Sequence, residues 1–174
     1  ANQQKHLAGN AGSGKRMNYE SIPSLPRLFL DQAARLSSRP FLWRKVDGAF
    51  GPIAWGAVAA DVRALARGLI ALGVQPGDRI ALIAENRPEW LIADLAIMAV
   101  GAITVPAFAT NTAEDNRHVL THSGSRGLIL SGPSIAKRAL PAAMQAPDLG
   151  FVVAMEPLGM TQQIPLRVLS WSEA

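Results

Sequence analysis

The chain is 174 residues long, 49% hydrophobic and 17% charged. That is enough apolar material for one domain with its own core, and too much for a disordered or low-complexity polymer. It has no cysteine, which excludes disulfide frames, thiolate metal centres and cysteine nucleophiles. The net charge of +4 comes from four Lys and thirteen Arg spread along the sequence, without the basic face or arm that nucleic-acid binding requires.

Residues 1–20 are polar and rich in Gly, Ser and Asn, and read as a flexible tail before a domain at 21–174. No apolar leader segment is visible in it, and a cytoplasmic setting is expected. Gly9 to Lys15 copies the first seven positions of a phosphate-binding loop. The preceding residues are too polar for a buried strand, and Arg16 stands where Ser or Thr would hold magnesium, so the match is discounted.

Ser24 starts a helix with Pro26 in its first turn, and Leu28, Phe29, Ala33 and Leu36 recur at helical spacing before Pro40. Residues 41–45 and 50–55 flank Asp47-Gly48 as a hairpin. A second helix over 56–72 puts Val58, Val62, Leu65, Leu69 and Leu72 on one face, and Gly73 stops it. The pattern then alternates. Strands are expected at 79–84, 103–105, 128–130, 151–154 and 167–169. Helices are expected over 88–100, 112–122 and 134–145. Strand–helix alternation with continuously apolar strands argues an α/β layered fold, with a mainly parallel sheet and helices on both faces. Leu91 to Ala109 is long and apolar enough to suggest a membrane span, but Asp94, Gly101 and Pro106 make it a buried helix leading into a buried strand.

Few residues suggest chemistry by themselves. His118 and His122 have metal-sharing helical spacing but no obvious third ligand, and read as an exposed helical face. Glu85 and Glu89 flank a strand end, where α/β proteins bind ligands, although Glu89 also suits a helix N-terminus. No G-x-S-x-G or G-x-G-x-x-G motif occurs in a strand-to-helix turn. The helix from Trp90 to Val100 is apolar nearly all round. Part of Trp90, Ile92, Leu95, Ile97 or a neighbouring strand is therefore expected to face solvent or a partner, and the chain to self-associate.

Ala84-Glu85-Asn86-Arg87-Pro88-Glu89-Trp90, continuing through Ile92 to Ala96 and Gly101 to Pro106, resembles the N-terminal region of adenylate-forming enzymes, specifically long-chain fatty acyl-CoA synthetases. Ile53 to Val58 is similar to the superfamily's first core motif and Gly101 to Pro106 to its second; Leu72 to Ala81 and Asn111 match the long-chain branch. The likeness extends over about residues 22–172. It implies ATP- and magnesium-dependent formation of an acyl-adenylate from a fatty acid, then transfer of the acyl group to CoA. Related aryl-CoA ligases, fatty acyl-AMP ligases and a non-catalytic binding module derived from such enzymes are the alternatives. The family's phosphate loop, nucleotide motifs and catalytic lysine have no counterpart here, so no catalytic residue carries over. The chain is expected to be the first part of a larger AMP-binding domain, inactive alone. The resemblance also implies a CoA-nucleotide contact at Phe108, Ala109 and Thr110 and at Lys137 and Arg138. No transmembrane segment is expected, and peripheral membrane contact is left open.

Overall fold

The computed structural model describes residues 19–159 and 164–174. The loop-like run at 9–15 and most of the expected tail lie outside them; the tail's expected end at residue 20 falls inside a 3-10 turn, Tyr19–Ser21.

Helix α1, Leu25–Leu36, starts where the Ser24 hydroxyl accepts the Arg27 N–H at 3.3 Å. Strands β1 (Pro40–Val46) and β2 (Ala49–Ala54) pair antiparallel. Asp47 and Gly48 both have positive φ, 49° and 83°, as the two-residue turn demands. This hairpin forms its own two-stranded sheet, not an addition to the main one.

Helix α2, Trp55–Ala71, begins without a break from β2. Trp55 is thus helical, not the last residue of a strand. It stacks on Phe41 with ring centroids 3.7 Å apart, and both rings lie 5.6 Å from Phe29. The three rings join α1, the hairpin and α2.

The remaining elements alternate: β3 Arg79–Ile83, α3 Pro88–Ala99, β4 Ile103–Ala107, α4 Ala113–Ser123, β5 Gly127–Leu130, α5 Pro133–Ala143, β6 Phe151–Ala154 and β7 Arg167–Ser170. All five of these strands are parallel, in the order β4-β3-β5-β6-β7. The period of two splits β3, β5, β6 and β7 between two cores, while the edge strand β4 stays largely outside them. Ile80, Leu82, Ile129 and Val153 pack on the side of α2 and α3. Ala81, Ile83, Leu128, Leu130 and Val152 pack on the opposite side with Leu120 of α4 and Ile135 and Ala139 of α5. Helices cover both faces, which is why β5, β6 and all of β3 after its first residue, Arg79, are apolar and buried.

The all-round apolarity of α3 has a local cause. Ile92, Leu95 and Ile97 are all buried, and α3 packs against α1 and α2 as well as β3 and β4. The expectation that α3 needs cover from elsewhere is corrected for Ile92, Leu95 and Ile97, over which α1 and the hairpin form a third layer, whereas Trp90 is half-buried and Ile103 of the neighbouring strand faces outward as expected. The exposed apolar side chains lie mainly on other elements: Trp43, Val46 and Phe50 on the hairpin, Ile103 on β4, and Phe108 after it.

Candidate functional site

The strand order reverses at β3, whose parallel neighbours β4 and β5 lead away in opposite directions. In doubly wound sheets ligands bind at such a reversal, beyond the carboxyl ends of the strands. That crevice falls between β3 and β5; a cavity of about 490 Å³ lies beside it, between the carboxyl ends of β3 and β4, lined by Ala84, Glu85, Asn86, Trp90 and residues 106–110. Two loops build it. One leaves β3 and enters α3 at Pro88, which suits a first helical position. The other leaves β4 and enters α4 through a reciprocal capping box of Thr112 and Asp115.

The β4–α4 loop is held from outside. Arg138 of α5 donates from Nε to the Asn111 carbonyl at 2.9 Å and from Nη2 to the Ala109 carbonyl at 2.6 Å. Its guanidinium therefore shapes the loop instead of standing free for an anion. Phe108 is 80% exposed, and its ring is open to a planar partner. Thr110 and Lys137 are also exposed. The fold thus brings Phe108, Ala109, Thr110 and Arg138 together, with Lys137 the next residue on the exposed side of α5.

A chain of ion pairs runs from the hairpin past the β3–α3 loop to the segment after β6. Glu89 is buried and pairs with Arg44 of β1 and with Arg87, the latter at 2.9 Å. Arg87 also holds Glu156, beyond β6, at 2.5 Å. Burial opposes ionisation of Glu89, but the Arg87 hydrogen bond and the charges of Arg87 and Arg44 outweigh it and hold the carboxyl below its ordinary range. Glu85 is held low first by the Ser131 hydroxyl, and then by its own backbone N–H and the cations Arg87 and Arg138. The Ser131 oxygen is buried and completes no hydrogen bond of normal geometry. A Cβ on Gly132 would displace the Glu156 carboxylate from its present position. Arg44 and Glu156 were invisible as site neighbours in the sequence, because they lie 45 and 67 residues from Glu89.

His118 and His122 stack on exposed α4 with centroids 5.3 Å apart. Among the described residues no group of three or more His, Cys, Asp or Glu gathers to hold a metal, and no helix is long and apolar enough to cross a membrane.

Fold and crevice define a doubly wound α/β protein with an open cavity at the carboxyl ends of β3 and β4. Comparison places it further. The sequence pattern of the AMP-binding enzyme family matches residues 29–168, so the chain belongs to that family. It is 48% identical over 80 residues to a long-chain-fatty-acid–CoA ligase of Mycobacterium tuberculosis, an alignment covering 46% of this chain and 13% of that protein. It is 28% identical over 116 residues to a long-chain-fatty-acid–[acyl-carrier-protein] ligase of Arabidopsis thaliana, covering 65% and 16%. The fold matches coronafacic acid ligase from Pectobacterium brasiliense with a TM-score of 0.73 at 18% identity, covering 83% of this chain and 28% of that one. The chain therefore spans only a small part of the length of these relatives.

Proposed function

We propose that the chain contributes the N-terminal α/β portion of an ATP-dependent long-chain fatty acid–CoA ligase. The 48% identity with the mycobacterial long-chain ligase carries the substrate class. In such a reaction the carboxylate attacks the α-phosphorus of ATP, releasing pyrophosphate and forming an acyl-adenylate. The CoA sulfur then attacks the acyl carbon and AMP leaves. We assign the magnesium of ATP to none of the described residues.

The role left to this chain is to receive part of the CoA nucleotide. The open Phe108 ring stacks on the base, Lys137 meets a phosphate, and Arg138 fixes the backbone at Ala109 and Asn111 between them. Titration of the chain with CoA tests this. Phe108→Ala and Lys137→Ala should each weaken binding about three- to tenfold, and removal of the 3′-phosphate should weaken it in wild type but not in Lys137→Ala. Equal affinity across this set would reject the site.

A cytoplasmic setting fits the cysteine-free composition. Self-association now rests on the hairpin, where Trp43 and Phe50 are 55% and 66% exposed. Sedimentation equilibrium should show a dimer or larger species at micromolar concentration, shifted toward monomer by Trp43→Ser with Phe50→Ser. A wild-type monomer would refute it.

A further inference from the structure

We infer that the outer face of α1 carries a second binding site, for a single-chain amphiphile with an anionic head. A cavity of about 280 Å³ opens between α1, the base of the hairpin and α3, on the far side of α3 from the sheet. Leu25, Leu28, Phe41, Trp55, Leu91 and Leu95 form its walls, and Gln32 is the single polar side chain in the lining. At about 30 Å³ for a water-sized unit, it holds roughly nine methylene groups. A polar ligand would lose its hydration there and gain nothing in exchange.

A cation one hydrogen bond from the lining, Arg35, defines the head group. Leu25, Leu28, Gln32 and Arg35 follow one another along one side of α1 at spacings of three and four. Arg35 Nη2 donates to Gln32 Oε1 at 2.6 Å, so a lining residue of the cavity holds the guanidinium within one hydrogen bond of it. The nearest acid on the helix, Asp31, is engaged by Arg27 at 3.0 Å. From Leu25 to Arg35 the helix rises about 15 Å, comparable to the extended length of a chain that fills the cavity. Tail between the leucines, head at Arg35: the arrangement fits a fatty carboxylate. The site lies on the face of α3 opposite the sheet, and it does not depend on the CoA assignment above.

The test is calorimetric titration of the 174-residue chain with decanoate below its micelle concentration. One equivalent should bind. Leu25→Asp should weaken it about tenfold by placing a charge at the tail end. Arg35→Gln should weaken it about three- to tenfold by removing the counter-charge. Both side chains are exposed, and an acid in the first turn suits the helix dipole, so neither change should unfold α1. Met144→Ala, at the end of α5, should bind as wild type does. Decyltrimethylammonium should bind more weakly than decanoate, and less so in Arg35→Gln. No heat of binding with decanoate, equal affinity in all variants, or equal affinity for the cationic amphiphile would overturn the inference. So would attachment to phosphatidylcholine vesicles without uptake of monomeric decanoate, which would give this face to a membrane surface.

Discussion

Glu89 shows how much one side chain can hold together. It sits in the first turn of α3, where the helix dipole favours an acid, and that much follows from its place after Pro88. Its burial and its two arginine partners do not, because Arg44 comes from the hairpin and Arg87 from the β3–α3 loop. Removing the charge leaves Arg87 and Arg44 short of a partner next to a buried position, so Glu89→Gln should destabilise the chain by about 2–4 kcal/mol. Urea denaturation at neutral pH measures it. Because the folded carboxyl is held below 4.5, its contribution is fully present above that value and is lost as pH falls through the lowered folded-state value. The acid limb of the stability curve should accordingly be flatter in Glu89→Gln than in wild type. A variant with an unchanged acid limb would show that the ion-pair chain contributes nothing to acid stability. Phe29, 5% exposed and in contact with Phe41 and Trp55, should cost about 3–5 kcal/mol on change to Ala.

Helix α4 is short and rather polar, and most of its definition comes from its ends. The Thr112–Asp115 capping box closes one end, and Gly124, left-handed at φ 59°, closes the other. The first was legible in the sequence, where Thr112 stands before two acids; the stop at Gly124 was not, and the expected helix ends at residue 122. Thr112→Ala should cost about 1 kcal/mol, read from the shift in denaturation midpoint at unchanged slope. Gly127, the first residue of β5, was not legible as anything special. Its φ is ordinary, yet a Cβ there would overlap the Phe151 ring of the neighbouring strand. Gly127→Ala should therefore destabilise by about 1–3 kcal/mol, whereas its sequence context alone would suggest a neutral or stabilising change. A gain in midpoint for this variant would show that the β5–β6 pairing relaxes more easily than its packing implies.

Across the molecule, cooperativity should divide unevenly. Strands β3, β5 and β6 are buried on both faces and paired on both edges, while the hairpin stands as a separate two-stranded sheet. Amide exchange should be slowest at Leu82, Ile129 and Val153 and fastest in the hairpin around Asp47 and Gly48. Equal protection in both sheets would mean that the aromatic trio at Phe29, Phe41 and Trp55 locks the hairpin to the global unfolding unit. By itself the 174-residue chain should release no pyrophosphate from ATP and palmitate above a no-enzyme control, since no counterpart of the family's phosphate loop or catalytic lysine is recognised in it. Turnover by the chain would refute its assignment as a non-catalytic portion.

The amino-acid sequence by itself determined the alternation of strands and helices, the parallel sheet, most helix starts and the family. These depend on periodicity, capping residues and short motifs, which are local properties of the chain. The family resemblance also pointed to Phe108, Ala109 and Thr110, which lie just after the Gly101–Pro106 motif. Only the tertiary structure decided what covers α3, since α1 and the hairpin lie 30 to 60 residues upstream and apolarity does not name its partner. It alone turned Arg138 from a free cation into a clamp on two carbonyls, and joined Arg44, Glu89, Arg87 and Glu156 into one chain. Long-range pairing carries no local signature: a charged residue reads alike in sequence whether it faces water or an ion partner brought to it by the fold.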